Sequence, residues 1–197
     1  MPGEPCRESR FNCWGRWALV TFATFISVPG CRQAQSTTPH PDFTLSQVRG
    51  GMFHLRAEEP QATLLAFLQT VPDTGDTPSR RQVPFLLSMN RQYRARGLKV
   101  VIVDSSALVT HQAPIRDVLI NASYDWQLDI PLLEDDDNRV ARNWEVTRVP
   151  TLLLLASDGT VAQRWDRWDR LTDPARLAKS IEQICGGPPG RGGGSAP

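Results

Sequence analysis

Short, nearly continuous apolar runs alternate along the chain with stretches whose apolar residues recur every three or four positions. Such runs are typical of strands buried on both faces of a sheet, and the wider spacing is typical of amphipathic helices. The runs predict strands over residues 63–68, 98–104 and 151–155, with shorter extended segments over 43–45, 52–55, 130–133 and 160–165. The helical spacing predicts helices over 83–96, 114–124, 138–144 and 173–185.

The order of these elements narrows the fold further. A strand, a helix and a second strand in succession over 63–104 predict parallel, adjacent strands with helices covering the sheet. Glycine-containing turns at 49–51 and 157–159 each join two extended segments as a hairpin. Asp137 or Asn138 is expected to cap the helix that follows them in the sequence. The pattern therefore predicts an α/β fold with a central mixed sheet, flanking helices and an N-terminal β-hairpin.

The stretch Asp76-Thr77-Pro78-Ser79 lies where the strand over 63–68 runs into the first long helix. The carboxyl ends of strands are where open α/β sheets place their ligand chemistry. The same side chains could instead cap the helix, since Asp, Thr and Ser accept backbone N–H groups and proline is favourable in a first turn. A helix cap alone and a binding surface on these residues are therefore both open.

This stretch resembles a thioredoxin-family active site. Thioredoxins carry Cys-x-Pro-Cys at the start of this helix, with a kinking proline five residues after the second cysteine. Pro78 and Pro84 fit that spacing, while Asp76 and Ser79 stand at the two cysteine positions. Val149-Pro150-Thr151 resembles the cis-proline segment that faces the cysteine motif across a groove in the same fold, and a cis bond there is expected.

The order of the elements from 41 to 185 resembles the TlpA-like and redoxin (AhpC/TSA, peroxiredoxin-like) branches of the thioredoxin-like superfamily. The opening hairpin belongs to this resemblance, and short thioredoxins lack it. Peroxiredoxins use Pro-x-x-x-Thr/Ser-x-x-Cys, and here Pro72 is followed at the same offsets by Asp76 and Ser79. The resemblance implies a thiol-disulfide oxidoreductase or antioxidant activity with its site at Asp76, Thr77, Pro78, Ser79, Val149 and Pro150.

The missing sulfurs change what this site can do. A hydroxyl or a carboxylate can form neither a mixed disulfide nor a sulfenic acid. The sequence therefore predicts a redox-inactive site that binds a polypeptide or an envelope protein. The alternative is an oxidoreductase that uses a non-standard thiol, for which Cys185 or a partner chain is available. No cofactor and no metal are predicted, since His40, His54 and His111 share no ligand spacing.

The N-terminal region has the pattern of an export signal. Arg7, Arg10 and Arg16 precede the uncharged run 17–28, which is short for a membrane span and suits the core of a signal peptide. The sequence Val-Pro-Gly-Cys ending at Cys31 resembles a bacterial lipobox, in which the cysteine carries the lipid.

These observations predict four segments: a signal peptide over 1–30, a lipid-anchored polar tether over 31–41, a thioredoxin-like domain over 42–185 and a disordered Gly/Pro tail over 186–197. The expected location is the cell membrane, facing outside the cytoplasm, and the alternatives are secretion or a single-pass anchor. The formal net charge of +1 gives no reason to expect a nucleic acid as partner.

Overall fold

A computed structural model of the chain describes residues 40–56, 60–71, 77–166 and 174–186. Its strands are β1 Thr44–Ser46, β2 Met52–His54, β3 Ala62–Leu68, β4 Leu98–Asp104, β5 Leu132–Glu134, β6 Thr151–Ala156 and β7 Val161–Asp166. Its α-helices are α1 Val83–Tyr93, α2 Ala107–Thr110, α3 Arg116–Asp125, α4 Arg139–Asn143 and α5 Pro174–Ile184. Single 3₁₀ turns precede and follow α1, at Arg80–Gln82 and Arg94–Arg96.

Five strands form one mixed sheet in the order β5-β4-β3-β6-β7. The strand β4 runs parallel to β3 and β5, whereas β6 is antiparallel to β3 and to β7. The parallel pairing of β3 with β4 is what the strand–helix–strand order predicts, since a crossover helix returns the chain to the same end of the sheet. The two remaining strands, β1 and β2, form the predicted antiparallel hairpin.

Alternate residues of β3 supply two apolar layers, because successive side chains of a strand point to opposite faces. Leu64 and Leu68 belong to a buried cluster that includes Leu86 of α1. Leu65 and Phe67 belong to a second buried cluster, which includes the hairpin and α4. Every residue of β3 is buried, which explains its continuous apolar run. The predicted fold class is confirmed.

Two local details differ from the sequence prediction. The helix α2 was not predicted, because its four residues are too few to show a helical period. At the start of α4, Asp137 accepts the backbone N–H of Arg139, as expected of a cap. The larger share of capping comes from Asp135, whose two carboxylate oxygens accept the backbone N–H groups of Val140 and Ala141 at 3.0 and 2.8 Å.

Several predicted features lie outside the described residues. These are the signal peptide over 1–30, the lipid attachment at Cys31, most of the tether, the tail beyond residue 186, and Asp76. Within the described part of the chain, none of the helices has the length and the apolar character needed to cross a membrane. The division of the chain into four segments stays a prediction.

Candidate functional site

The site predicted from the sequence lies at the end of the sheet that is formed by the carboxyl ends of β3 and β4. Leu68 and Asp104, the last residues of β3 and β4, are partners in the parallel register. Thr151, the first residue of β6, pairs with Phe67 one position earlier. Two parallel strands therefore end, and one antiparallel strand begins, at the same end of the sheet. The chain leaves β3 there and continues into the turn before α1.

Thr77 caps the turn that leads into α1. Its side-chain Oγ1 accepts the backbone N–H of Arg80 at 3.1 Å, and its carbonyl accepts the backbone N–H of Arg81 at 3.1 Å. Pro78 occupies the first position after the cap, where a missing N–H costs nothing. The predicted capping role is confirmed for Thr77.

Ser79 has a different role from that of a cap. Its side chain is buried, with 2% of the residue exposed, and its hydroxyl oxygen accepts the backbone N–H of Gln69 at 2.9 Å. Gln69 is the residue directly after β3, so this bond fastens the start of the helical turn to the end of the strand. At the position of the second cysteine, the structure therefore holds an inward-facing hydroxyl that is already engaged.

Gln82 completes the turn. Its side-chain amide donates to the carbonyl of Pro78 at 3.0 Å and so ties the residue before α1 to the start of the turn. The other atom of that amide group, Oε1, is buried and has no hydrogen-bond partner among the described residues. Pro84 lies in the first turn of α1, where helices tolerate proline.

Pro150 lies at the same sheet edge. The Val149–Pro150 peptide bond is cis, as predicted from the sequence. The hydroxyl of Thr151 donates to the carbonyl of Arg148 at 2.8 Å and so closes the turn around this proline. The antiparallel register of β3 with β6 ends at the pair Phe67–Thr151, so Pro150 directly precedes that pair.

We call the region formed by Thr77, Pro78 and Ser79 together with Val149 and Pro150 the candidate groove. Pro78 is exposed, Thr77 and Val149 are half-buried, and Ser79 and Pro150 are buried beneath them. The fold brings both halves to the carboxyl end of β3, one on the helix side and one on the β6 side. Asp76, which completes the motif in the sequence, lies outside the described residues. Use of these residues as a binding site stays a prediction.

A buried acidic group behind this surface was not predicted from the sequence. Asp104 is 2% exposed, and its Oδ1 accepts the hydroxyl of Thr70 and, at 2.6 Å, the hydroxyl of Ser106. The oxygen of Ser106 in turn accepts the backbone N–H groups of Thr70 and Val71, each at 2.9 Å. Burial raises the pKa of Asp104 above its ordinary value, and the hydroxyl donors oppose that shift without cancelling it.

The sequence did contain a signal for Asp104. It is a carboxylate that ends the buried run over 98–104, at the edge where parallel strands place functional groups. Two serines follow it, which gives the carboxylate nearby hydroxyl donors.

Cys185 lies at the other end of α1. It directly follows α5. Glu182 of α5 accepts a hydrogen bond at 3.1 Å from the hydroxyl of Tyr93, the last residue of α1. Cys185 is partly buried and packs against the apolar cluster that includes Tyr93. The 11 residues of α1 rise about 16 Å along the helix axis and separate this corner from the turn at Ser79. Burial also raises the pKa of the thiol of Cys185, which disfavours the reactive thiolate.

The histidines of the described chain are not gathered into one site. His54 shares a 2.7 Å hydrogen bond with the hydroxyl of Thr44, and the ring of His40 stacks on Trp144 at 4.6 Å between ring centroids. Within the described residues no group of three or more His, Cys, Asp or Glu side chains could hold a metal ion.

Comparison with solved structures shows which proteins share this arrangement. A Chlorobium tepidum protein assigned as thiol:disulfide interchange protein DsbE aligns with a TM-score of 0.64 at 22% identity, covering 75% of this chain and 96% of its own. A secreted disulfide oxidoreductase of Mycobacterium tuberculosis, homologous to DsbE of E. coli, aligns with a TM-score of 0.57 at 13% identity, covering 72% and 96%. A thiol-disulfide oxidoreductase of Bacteroides fragilis aligns with a TM-score of 0.57 at 18% identity, covering 72% and 97%.

At these identities the likeness establishes the fold, which is thioredoxin-like. No curated protein sequence matches the chain. The family model of the AhpC/TSA family matches residues 37–164, which is more than half of the chain and includes both halves of the candidate groove. The protein therefore belongs to the AhpC/TSA family, within the thioredoxin-like fold.

Proposed function

We propose that this protein is an exported, membrane-anchored thioredoxin-like protein whose candidate groove binds a polypeptide or an envelope protein without redox chemistry. The observation that carries the proposal is the state of Ser79. A disulfide oxidoreductase of this fold needs sulfur at this position, and here a buried hydroxyl accepts the backbone N–H of Gln69. A hydroxyl in that place can hold the shape of the site and cannot exchange disulfides.

The backbone around Pro150 supports a binding role. An extended polypeptide can pair with exposed main-chain groups at the edge of a fold, and the affinity then comes from backbone hydrogen bonds. The residues that shape this edge are tied down by short-range bonds, among them the cap at Thr77 and the bond between Thr151 and Arg148. A surface held in this way loses little conformational freedom on binding, which favours affinity.

The alternative is an oxidoreductase of the disulfide reductase or peroxidase type, working with a thiol from elsewhere. The position of Cys185 weighs against it, since the length of α1 separates that residue from the groove and burial raises the pKa of its thiol. A thiol supplied by a partner chain would remain as the source. In that case the protein would be active only in the presence of that partner.

Export rests on the sequence of residues 1–31 and on the kind of proteins that share the fold. The apolar run over 17–28 and the lipobox-like ending at Cys31 support a lipid anchor. One structural neighbour is described as secreted, which agrees with an extracytoplasmic setting for this fold.

Insulin reduction and peroxide consumption test the redox half of the proposal. The wild-type protein and a Cys185→Ser variant should both show no turnover above buffer, while a thioredoxin with both cysteines serves as positive control. Activity in the wild type that disappears in Cys185→Ser would establish the alternative. Activity retained in both would show that the chemistry does not need the thiol of Cys185, and Cys6, Cys13 and Cys31 would then be the remaining sources of sulfur in this chain.

The binding half is tested by cross-linking in membranes that carry the anchored protein, followed by purification. A Pro78→Arg variant places a large charged side chain on an exposed position of the groove, and Ser88→Arg places the same side chain on an exposed position of α1. Protein captured by the wild type and by Ser88→Arg, and lost in Pro78→Arg, would support the groove. Equal capture by all three would place binding elsewhere.

A further inference from the structure

The backbone that connects β3 to the candidate groove is held by side-chain hydroxyls. Three successive N–H groups, those of Gln69, Thr70 and Val71, donate to hydroxyl oxygens at 2.9 Å. Ser79 accepts the first bond and Ser106 accepts the other two. This short segment therefore connects the groove on one side with β4 on the other.

The hydroxyl of Ser106 is itself oriented by Asp104. It donates to Asp104 Oδ1 at 2.6 Å, which leaves its lone pairs for the two backbone N–H groups. Thr70 adds a second hydroxyl donor to the same carboxylate oxygen. Asp104 thus lies at the base of a hydrogen-bonded chain that runs through Ser106 and Thr70 to the segment 69–71.

We propose that Asp104 is the positioning residue of the candidate groove, and that its protonation state sets how firmly the segment 69–71 is closed onto the sheet. Neutral Asp104 stays buried with both hydroxyl donors in place. Ionised Asp104 favours an open form in which the segment lifts and water reaches the carboxylate. The effect of Asp104 on polypeptide binding rests on the proposed function, whereas its effect on the segment 69–71 does not.

The direction follows from the burial of the group. A carboxylate that is 2% exposed has lost its hydration. The two hydroxyl donors, together with the backbone N–H groups of Thr70 and Ser106 at 3.4 Å, replace only part of it. Burial accordingly holds the pKa of Asp104 above the ordinary value of 3.8. A group with a raised pKa in the closed form stabilises that form at low pH, and this stabilisation is lost as the pH rises from 3.8 through the pKa of the closed form.

Charged groups on the neighbouring elements adjust the titration of Asp104. Its register partner on β5 is Glu134, so the two carboxyl groups are adjacent on one face of the sheet. Arg116 of α3 forms an ion pair with Glu134 and neutralises much of its charge. The pKa of Glu134 is also raised, chiefly by burial, and the charge of Asp104 adds to that shift. Ionised Glu134 would raise the pKa of Asp104 further, and Arg116 opposes this.

The test is amide hydrogen exchange of the full chain, followed by NMR from pH 4 to pH 8 and corrected for intrinsic exchange. In the wild type, protection of the amides of Thr70 and Val71 should fall as the pH rises. The fall should be about tenfold for each pH unit that separates the pKa of Asp104 in the closed form from that in the open form. The carboxyl carbon of Asp104 should titrate over the same interval.

Two substitutions separate positioning from simple structural support. Asp104→Asn keeps an oxygen acceptor for the two hydroxyls and cannot ionise, so protection at Thr70 and Val71 should persist and lose its pH dependence. Ser106→Ala removes the acceptor of Val71 and the nearer of the two acceptors of Thr70, whose N–H also lies 3.4 Å from Asp104 Oδ1. Val71 should therefore lose protection at every pH, and Thr70 should lose part of its protection.

Asp135→Asn is the matched control. Asp135 is equally buried, with 2% of the residue exposed, and its pKa is also raised by burial, yet it accepts backbone N–H groups at α4. This control should leave the exchange of residues 69–71 as in the wild type.

The proposal is overturned if protection at Thr70 and Val71 in the wild type is independent of pH after correction, or if Asp104→Asn keeps the wild-type dependence. It is also overturned if the carboxyl carbon of Asp104 titrates over an interval in which those amides do not change, a result that needs no variant. None of these measurements involves a partner, so a failure to bind polypeptides would refute the proposed function and leave them unaffected.

Discussion

Removing the hydroxyl of Ser79 tests whether this residue stabilises the candidate groove through its hydrogen bond to the backbone after β3. In a Ser79→Ala variant the backbone N–H of Gln69 loses its acceptor, which lies 2.9 Å away in the wild type. Ser79 is 2% exposed, so water cannot take the place of the hydroxyl without a local opening. A donor left without a partner in this way costs about 1 to 3 kcal/mol of the free energy of unfolding.

The neighbouring hydroxyl gives a scale for this effect. Thr77 accepts the N–H of Arg80 as a helix cap at a half-buried position, and its replacement by alanine should cost about 1 kcal/mol. Ser88 is exposed on α1 and its replacement by alanine should change stability by no more than about 0.5 kcal/mol. The expected order of destabilisation is therefore Ser79→Ala, then Thr77→Ala, then Ser88→Ala.

Urea unfolding of the three variants and the wild type, followed by tryptophan fluorescence and by circular dichroism, measures these differences. The slope of free energy against urea should stay constant, which shows that the change lies in stability and not in the compactness of the unfolded state. A Ser79→Ala variant as stable as Ser88→Ala would refute the inward-facing role, and Ser79 would then be a free side chain at the surface of the groove.

Three further predictions concern the motif at 76–79, the membrane anchor and the turn before β4. Restoring both sulfurs with Asp76→Cys and Ser79→Cys together should produce an internal disulfide and insulin-reductase activity, neither single variant should have the activity, and a folded but unoxidised double variant would contradict the assigned motif. Cys31→Ser should release the protein from membranes without unfolding it, and intact Met1 on the membrane-bound wild type, shown by mass spectrometry, would contradict a cleaved signal peptide. Gly97→Ala should destabilise by more than about 1 kcal/mol, because its φ is +87° and the new Cβ would lie 2.7 Å from Cγ of Gln61; equal urea midpoints for variant and wild type would contradict this.

The elements predicted from the sequence are those whose pattern is set by burial on a regular surface. β3 and β4 are continuous apolar runs because both of their faces are covered, and the structure pairs them in parallel as expected. The cis bond before Pro150 was also predictable, because the order of the elements around it resembles a fold that carries one there. In these cases local pattern and global fold agree.

Of the features that were not predicted, one is a helix cap five and six residues away in the sequence, and the other depends on a contact between distant positions. Asp135 lies in a run of acidic residues that looks solvated, and only the packing of α4 shows that it is buried against Val140 and Ala141. Asp104 lies 34 residues after Thr70, and its hydroxyl partner there is brought to it by the pairing of β3 with β4. Sequence spacing does not reveal such bonds, because their partners are chosen by the sheet register.

Hydroxyl oxygens accept the backbone N–H groups that follow the carboxyl end of β3. Exchange through an internal disulfide needs one sulfur that substrates can reach and a second within bonding distance, and the sequence has Asp76 and Ser79 at the two aligned positions. Here the hydroxyl at Ser79 takes up the N–H of Gln69, and Ser106 takes up those of the next two residues. The connection from β3 to the groove is thereby held without a disulfide. The acceptors of these hydrogen bonds are hydroxyl oxygens, which disulfide reductants do not alter. The shape of this connection therefore does not depend on the redox state of the surroundings. On the proposed function, binding of a polypeptide measured with and without dithiothreitol should therefore give the same affinity, and an affinity that changes with dithiothreitol would contradict a site without redox chemistry.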